Sequence, residues 1–197
     1  MKKGTVALIV VAVVGVALFF SFKGNYNEMV VLDEGVSSAW AQVENQYQRR
    51  ADLIPNLVST VKGYADFEQK TLTAVVEARS KATSITVDPS NLTPETVAKF
   101  QKAQDGLSGA LSRLLVSVER YPDLKANTQF QQLQVQLEGT ENRIAVERRN
   151  FNNTVQGYNA MVRQFPRNII AGILGFGKKG YFESTVGSEN APEVSFE

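Results

Sequence analysis

The chain has 197 residues, 43% hydrophobic and 21% charged, with 21 Lys+Arg against 20 Asp+Glu and neither cysteine nor histidine. Those two absences exclude disulfides, thiolate nucleophiles, the Ser-His-Asp triad, zinc sites built on nitrogen or sulfur, and a di-iron bundle of the Glu-x-x-His type. Setting aside Lys2, Lys3 and Lys23 leaves 18 basic against 20 acidic residues, a balance that argues against nucleic acid as a partner.

Residues 4–22 form a stretch of 19 without a charge, bounded by Lys2 and Lys3 before it and Lys23 after it. At ~1.5 Å per helical residue this reaches roughly 28 Å, close to the thickness of a bilayer's hydrocarbon core. The run ends Leu18-Phe19-Phe20-Ser21-Phe22, bulky where a signal-peptidase site needs small residues, so residues 1–23 read as an uncleaved membrane anchor. The lysines place the N-terminus in the cytoplasm and the bulk of the chain on the extracytoplasmic side.

Next, Met29, Leu32, Val36, Ala39, Val43 and Tyr47 recur at helical spacing, as do Leu57, Val61, Tyr64, Leu72, Val75 and Ala82. Helices are expected at about 27–53 and 56–83. Pro55 lies between them and marks either a turn or a kink in one long helix. Residues 84–94 read as a loop. Thr93 is a fitting N-cap, followed by Pro94 and Glu95. The third helix carries Val97, Phe100, Gln104, Leu107, Leu111, Leu114 and Val118, and stops before Tyr121-Pro122. The fourth holds a heptad ladder of coiled-coil type, Phe130, Leu137, Ile144, Phe151, Tyr158 and Phe165, ended by Pro166. Its companion stripe, Leu133, Thr140, Glu147, Thr154 and Met161, is apolar at the ends and polar in the middle. The expected fold is all-α: an N-terminal transmembrane helix followed by an antiparallel four-helix up-and-down bundle over residues 24–182. The acidic tail, 183–197, is expected to be extended or disordered.

Residues 163–179 hold Arg163, Arg167, Lys178 and Lys179 without an acid, around an apolar stretch too short to span a bilayer. An up-and-down bundle returns the fourth helix to the start of the first. Ile169, Ile170, Ile173 and Leu174 would then lie in the membrane interface, or else cover the open end of the core.

Four segments, RRADLIPNLVSTVKGYADFE (49–68), RYPDLKAN (120–127), GTENRIAVERRNFNNTVQGYN (139–159) and FPRNIIAG (165–172), together resemble the LemA family of bacterial membrane proteins. The likeness runs from about Tyr26 to Phe182. It implies a transmembrane helix and a four-helix bundle, and brings no assigned activity, cofactor or catalytic residue. The motif residues are Arg50, Pro55, Asn56, Glu68, Arg79, Tyr121, Pro122, Glu141, Asn142, Arg149, Asn152, Tyr158, Asn159 and Pro166. Phe67 stands where the family pattern leads one to expect a histidine.

Thr140, Glu147 and Thr154 suggest a buried polar layer, with Arg50, Arg79, Arg143 or Arg148 as partners for Glu147, because an unpaired buried carboxylate is costly. The bland alternative turns Glu147 to solvent. Glu68, Glu141 and Glu147 could bind a hard cation, although nothing in their spacing is specific. Arg49-Arg50 and Arg148-Arg149 could grip phosphate, or form solvated faces. The aromatic-Asn pairs Tyr26-Asn27, Phe151-Asn152 and Tyr158-Asn159 suggest side-chain hydrogen bonds between helices. The combined reading is a non-enzymatic scaffold or binding protein of the bacterial envelope, with the bilayer and other envelope proteins as partners. The rivals are a carboxylate or oxygen-ligand-metal enzyme and a lipid- or peptidoglycan-binding module.

Overall fold

The computed structural model describes residues 3–64 and 68–183. The helices are α1 (Lys3–Lys62), α2 (Gln69–Thr83), α3 (Pro94–Val118), the short α4 (Pro122–Lys125), α5 (Thr128–Arg163) and α6 (Arg167–Leu174). Among the described residues there is no strand. Among the described residues one helix, α1, is long and apolar enough to cross a membrane.

α1 is one helix of 60 residues that continues through Pro55, so of the two alternatives this proline left open, a turn or one long helix, the structure has the one long helix. Proline lacks an amide hydrogen, so the carbonyl four residues earlier, that of Ala51, loses its helical donor. Arg79 of α2 replaces it: its Nε donates to the Ala51 carbonyl at 2.8 Å. A side chain 28 positions away thus meets the demand that otherwise interrupts the helix. α1 ends at Lys62 and α2 begins at Gln69. Pro55→Ala, which restores the local donor, is therefore expected to lower the cost of Arg79→Ala. A double-mutant cycle should show coupling of roughly 0.5–2 kcal/mol, and strict additivity would contradict this account.

The remaining boundaries follow local chemistry. Thr93 caps α3 by accepting from the Thr96 amide, with Pro94 at the first position. Asn127 caps α5 by accepting from the Phe130 amide. Gly175 ends α6 at φ 80°, a left-handed conformation that suits glycine, and the Phe176 amide closes the turn on the Ala171 carbonyl at 2.9 Å.

α1 packs against α5 along the bundle, and α2 packs against α3. The heptad ladder is buried at Phe130, Leu137, Ile144, Phe151 and Tyr158. Phe165 departs from it and lies 82% exposed, because α5 ends at Arg163 and Phe165 falls in the connection to α6. The core divides in two. One cluster, near the apolar span, holds Met29, Trp40, Phe100, Phe151 and Tyr158. The other, at the far end, holds Leu57, Leu107, Leu114, Phe130 and Leu137. α2 has only 15 residues and packs on the far cluster. Beside the near cluster its place is taken by the loop after α2 and by residues 175–183, an extended strap. The acidic tail and Phe67 lie outside the described residues, apart from Glu183.

Candidate functional site

Where the two cores meet, the helical registers bring polar residues inward. Tyr47 and Ile54 bracket Arg50 on α1, Phe100 and Leu107 bracket Gln104 on α3, and Leu137 and Ile144 bracket Thr140 and Glu141 on α5. Arg50 is 1% exposed. Its Nη1 donates to Glu141 Oε1 at 2.5 Å and to the Ser108 hydroxyl at 2.6 Å. Its Nη2 donates to the Gln104 side-chain and backbone oxygens at 2.8 and 3.2 Å. The guanidinium also stands over the Tyr47 ring, 5.1 Å from its centroid. A buried arginine is tolerable only with this many acceptors and a counter-charge. Glu141 supplies the charge from the rim of a groove of about 510 Å³ between α3 and α5, floored by Leu111, Leu115 and Leu137.

Of the residues expected in a polar layer, Arg50 and Thr140 are buried. The Thr140 hydroxyl turns back to the Gln136 carbonyl at 2.7 Å. Glu147 and Thr154 are half-buried and Arg143 is exposed. Glu147 accepts from Asn150 one turn along its own helix, whereas Arg50 takes Glu141. Gln104 and Ser108 were missed as partners. Gln104 carried a signal, since it occupies a core position in the apolar ladder of α3.

The three candidate cation ligands engage different partners. Glu68 pairs with Arg120 at 2.8 Å. The Arg120 guanidinium, and after it the Thr71 hydroxyl, hold the Glu68 carboxyl below its usual range. Glu141 and Glu147 have the partners given above. Among the described residues no cluster of three or more acids could hold a metal ion. Arg49 is exposed and Arg50 buried, so that pair points apart. Arg148 covers the Phe182 ring at 4.9 Å while Arg149 faces solvent. Asn56, Asn142 and the residues Pro55, Pro122 and Pro166 are exposed, and Tyr121 is half-buried against the far core. Glu44 lines a shallow pocket with Tyr47, Phe100 and Gln104, and burial pushes its carboxyl upward.

A second constellation involves two of the aromatic-Asn pairs. Expected to link helices, they grip the strap instead. Asn159 donates to the Lys179 carbonyl and accepts from its amide, both at 2.9 Å. Asn152 does the same to Phe182 at 2.8 and 2.9 Å. Gln101 brackets Glu183 at 2.9 and 3.0 Å. Each amide side chain thus acts as one rung of a sheet edge. The neighbouring Tyr158 hydroxyl donates to the Gly177 carbonyl at 3.0 Å, and burial raises its phenol well above the ordinary range. Lys179 reaches Asp33 at 2.9 Å. The Phe182 ring stacks on Trp40, with centroids 5.7 Å apart and planes 5° from parallel.

Gly180 passes so close to α3 that a Cβ there would lie 2.7 Å from the Pro94 Cα. Gly180→Ala is therefore expected to lift the strap and lower stability by about 1–3 kcal/mol, the usual cost of overpacking. Denaturation of the full chain in detergent, beside Gly177→Ala where space is open, measures it. Equal stability of the two variants would show that the strap is not held at Gly180.

This helical frame can be set beside known proteins. The sequence profile of the LemA family matches residues 39–196. The chain belongs to the LemA family. Among LemA-family relatives, Protein LemA of Metamycoplasma hominis is 26% identical over 153 residues, covering 78% of this chain and 66% of the relative. Magnetosome protein MamQ 2 of Paramagnetospirillum magneticum is 26% identical over 195 residues, covering 90% and 72%. Magnetosome protein MamQ of Magnetospirillum gryphiswaldense is 25% identical over 186 residues, covering 85% and 68%. The chain thus spans roughly two thirds of the length of these relatives. In this chain the structure brings together two ion pairs that each hold a buried cation, Arg50–Glu141 and Lys179–Asp33, and three amide brackets on the strap.

Proposed function

We propose that this LemA-family chain is an uncleaved, single-pass membrane anchor that holds a rigid helical scaffold on the extracytoplasmic face, where the scaffold engages other envelope proteins. The observation that carries this reading is the continuity of α1. One helix supplies both the apolar span and the longest wall of the bundle. After Lys23 it runs on for 39 residues, roughly 60 Å at the helical rise, so the bundle is carried out from the bilayer on the same helix that crosses it. The apolar span also keeps contact with the bundle: Phe19 and Phe22 line a groove with Ile169 and Ile170. Cleavage after the span would strip α6 of that contact. The groove between α3 and α5 offers a mixed apolar and polar surface of the kind that other proteins dock on.

The test interrupts the continuity. A flexible Gly-Ser insertion between Lys23 and Gly24 should leave the chain in the membrane. Cross-linking in intact membranes should then lose the discrete protein adducts formed by the unmodified chain. An unchanged set of adducts would overturn the scaffold reading. A mature N-terminus beyond Phe22 would overturn the anchor.

A further inference from the structure

Ile169 and Ile173 stand four apart on α6 and share one exposed stripe, at 55% and 74%, and Phe165, in the connection before the helix, is 82% exposed. The other side of α6 is occupied: Ala171 is buried and Ile170 packs on the near core. The sequence alternatives for this face are therefore divided between its residues. Ile170 covers the core and Ile169 and Ile173 do not. Val116 and Val135 are also exposed, as apolar residues on a folded surface commonly are. The α6 stripe differs because it adjoins the apolar span.

Arg167 fixes that position. Its Nε donates to Asn25 Oδ1 at 2.8 Å, and its Nη2 reaches Glu28 at 3.1 Å. Next to this clamp Pro166, Ile169 and Ile170 share a groove with Gly15, Phe19 and Phe22. Gly15 precedes Phe22 by seven residues, or roughly 10 Å along the helix. If Phe22 marks the edge of the hydrocarbon, Ile169 and Ile170 stand beside α1 at about the level of that edge, in a groove that runs from Gly15 to Asn25. Arg163 and Lys178, both exposed, flank the stripe.

We propose that α6 is a second membrane-contacting element, lying in the interface of the bilayer that α1 crosses. Phe165, Ile169 and Ile173 enter the outer hydrocarbon, while Arg163 and Lys178 remain among anionic headgroups. A helix with one apolar stripe and basic flanks is suited to this depth, about 5–10 Å into the boundary. The two contacts together set the tilt of the bundle, since one helix alone leaves rotation about its axis free.

The inference rests on the anchor reading, and one experiment separates the two. The chain has no cysteine, so each introduced cysteine is the sole labelling site. The full chain is reconstituted into phosphatidylcholine–phosphatidylglycerol vesicles with an environment-sensitive fluorophore at Val11→Cys, Phe165→Cys, Ile173→Cys or Val116→Cys. Quenching is then read from lipids brominated along the acyl chain. The expected result is strong quenching at Val11, at least half as much at Phe165 and Ile173, and none at Val116, in the far half of the bundle. Quenching at Val11 with none at Ile173 overturns the α6 contact and leaves the anchor standing. No quenching at Val11 overturns both. A probe at Ile173 that is shielded in native membranes but not in pure lipid would assign the stripe to a protein partner, and would also overturn the proposal.

Discussion

Trp40→Ala is expected to cost about 3–5 kcal/mol, the upper range for large-to-small changes in a core. Trp40 is fully buried, and three other elements converge on it. Phe100 of α3 and Phe151 of α5 meet its edge at 5.0 and 5.4 Å, and Phe182 of the strap stacks on its face. Truncation leaves a cavity that three rings held by separate helices and a tethered strap cannot collapse to fill. The loss should also reach the strap, because Phe182 loses its platform while Asn152 keeps only its backbone. Trp40→Phe should be much milder. It keeps an aromatic ring and removes an indole N–H for which no protein hydrogen bond is found among the described residues. Chemical denaturation of the full chain in detergent measures both, with the exposed Gln136→Ala as the unaffected control. Equal small losses for Trp40→Ala and Gln136→Ala would mean that the strap and the near core are not keyed to this side chain.

The second large effect is an asymmetry within one ion pair. Glu141→Leu leaves the Arg50 guanidinium buried with only neutral acceptors, Gln104 and Ser108. It should cost roughly 2–4 kcal/mol, somewhat below the usual range for stranding a buried charge because part of the groove is open to water. Arg50→Met should cost less. It strands Glu141, whose side chain is 42% exposed and can turn to solvent. The double change to Met and Leu should be milder than Glu141→Leu alone, since apolar residues of similar volume can replace a buried pair. An Arg50→Met loss larger than that of Glu141→Leu would show that the arginine matters through packing on Tyr47 and not through its charge.

The sequence carried far into this fold. The apolar span of 19 residues, the Thr93-Pro94 start of α3 and the heptad ladder of α5 were legible because each signal is local or strictly periodic. The chance that Arg50 was buried was legible too, since it continues the apolar register of Val43 and Tyr47. The residues it would meet were not. Glu141 is 91 positions away and was weighed as a cation ligand, while Glu147, further along the same helix, was assigned the pairing.

What remained for the tertiary structure has a common physical form. Pro55 stays inside a helix because Arg79, from another element, takes the carbonyl that proline orphans. Asn152, Asn159 and Gln101 serve the strap because its backbone, without a strand partner of its own, runs past their amides. A sequence displays which groups need partners, through propensity and period. The choice of partner depends on which helices pack side by side, and side-chain hydrogen bonds spanning from 19 to 142 positions are settled only once they do.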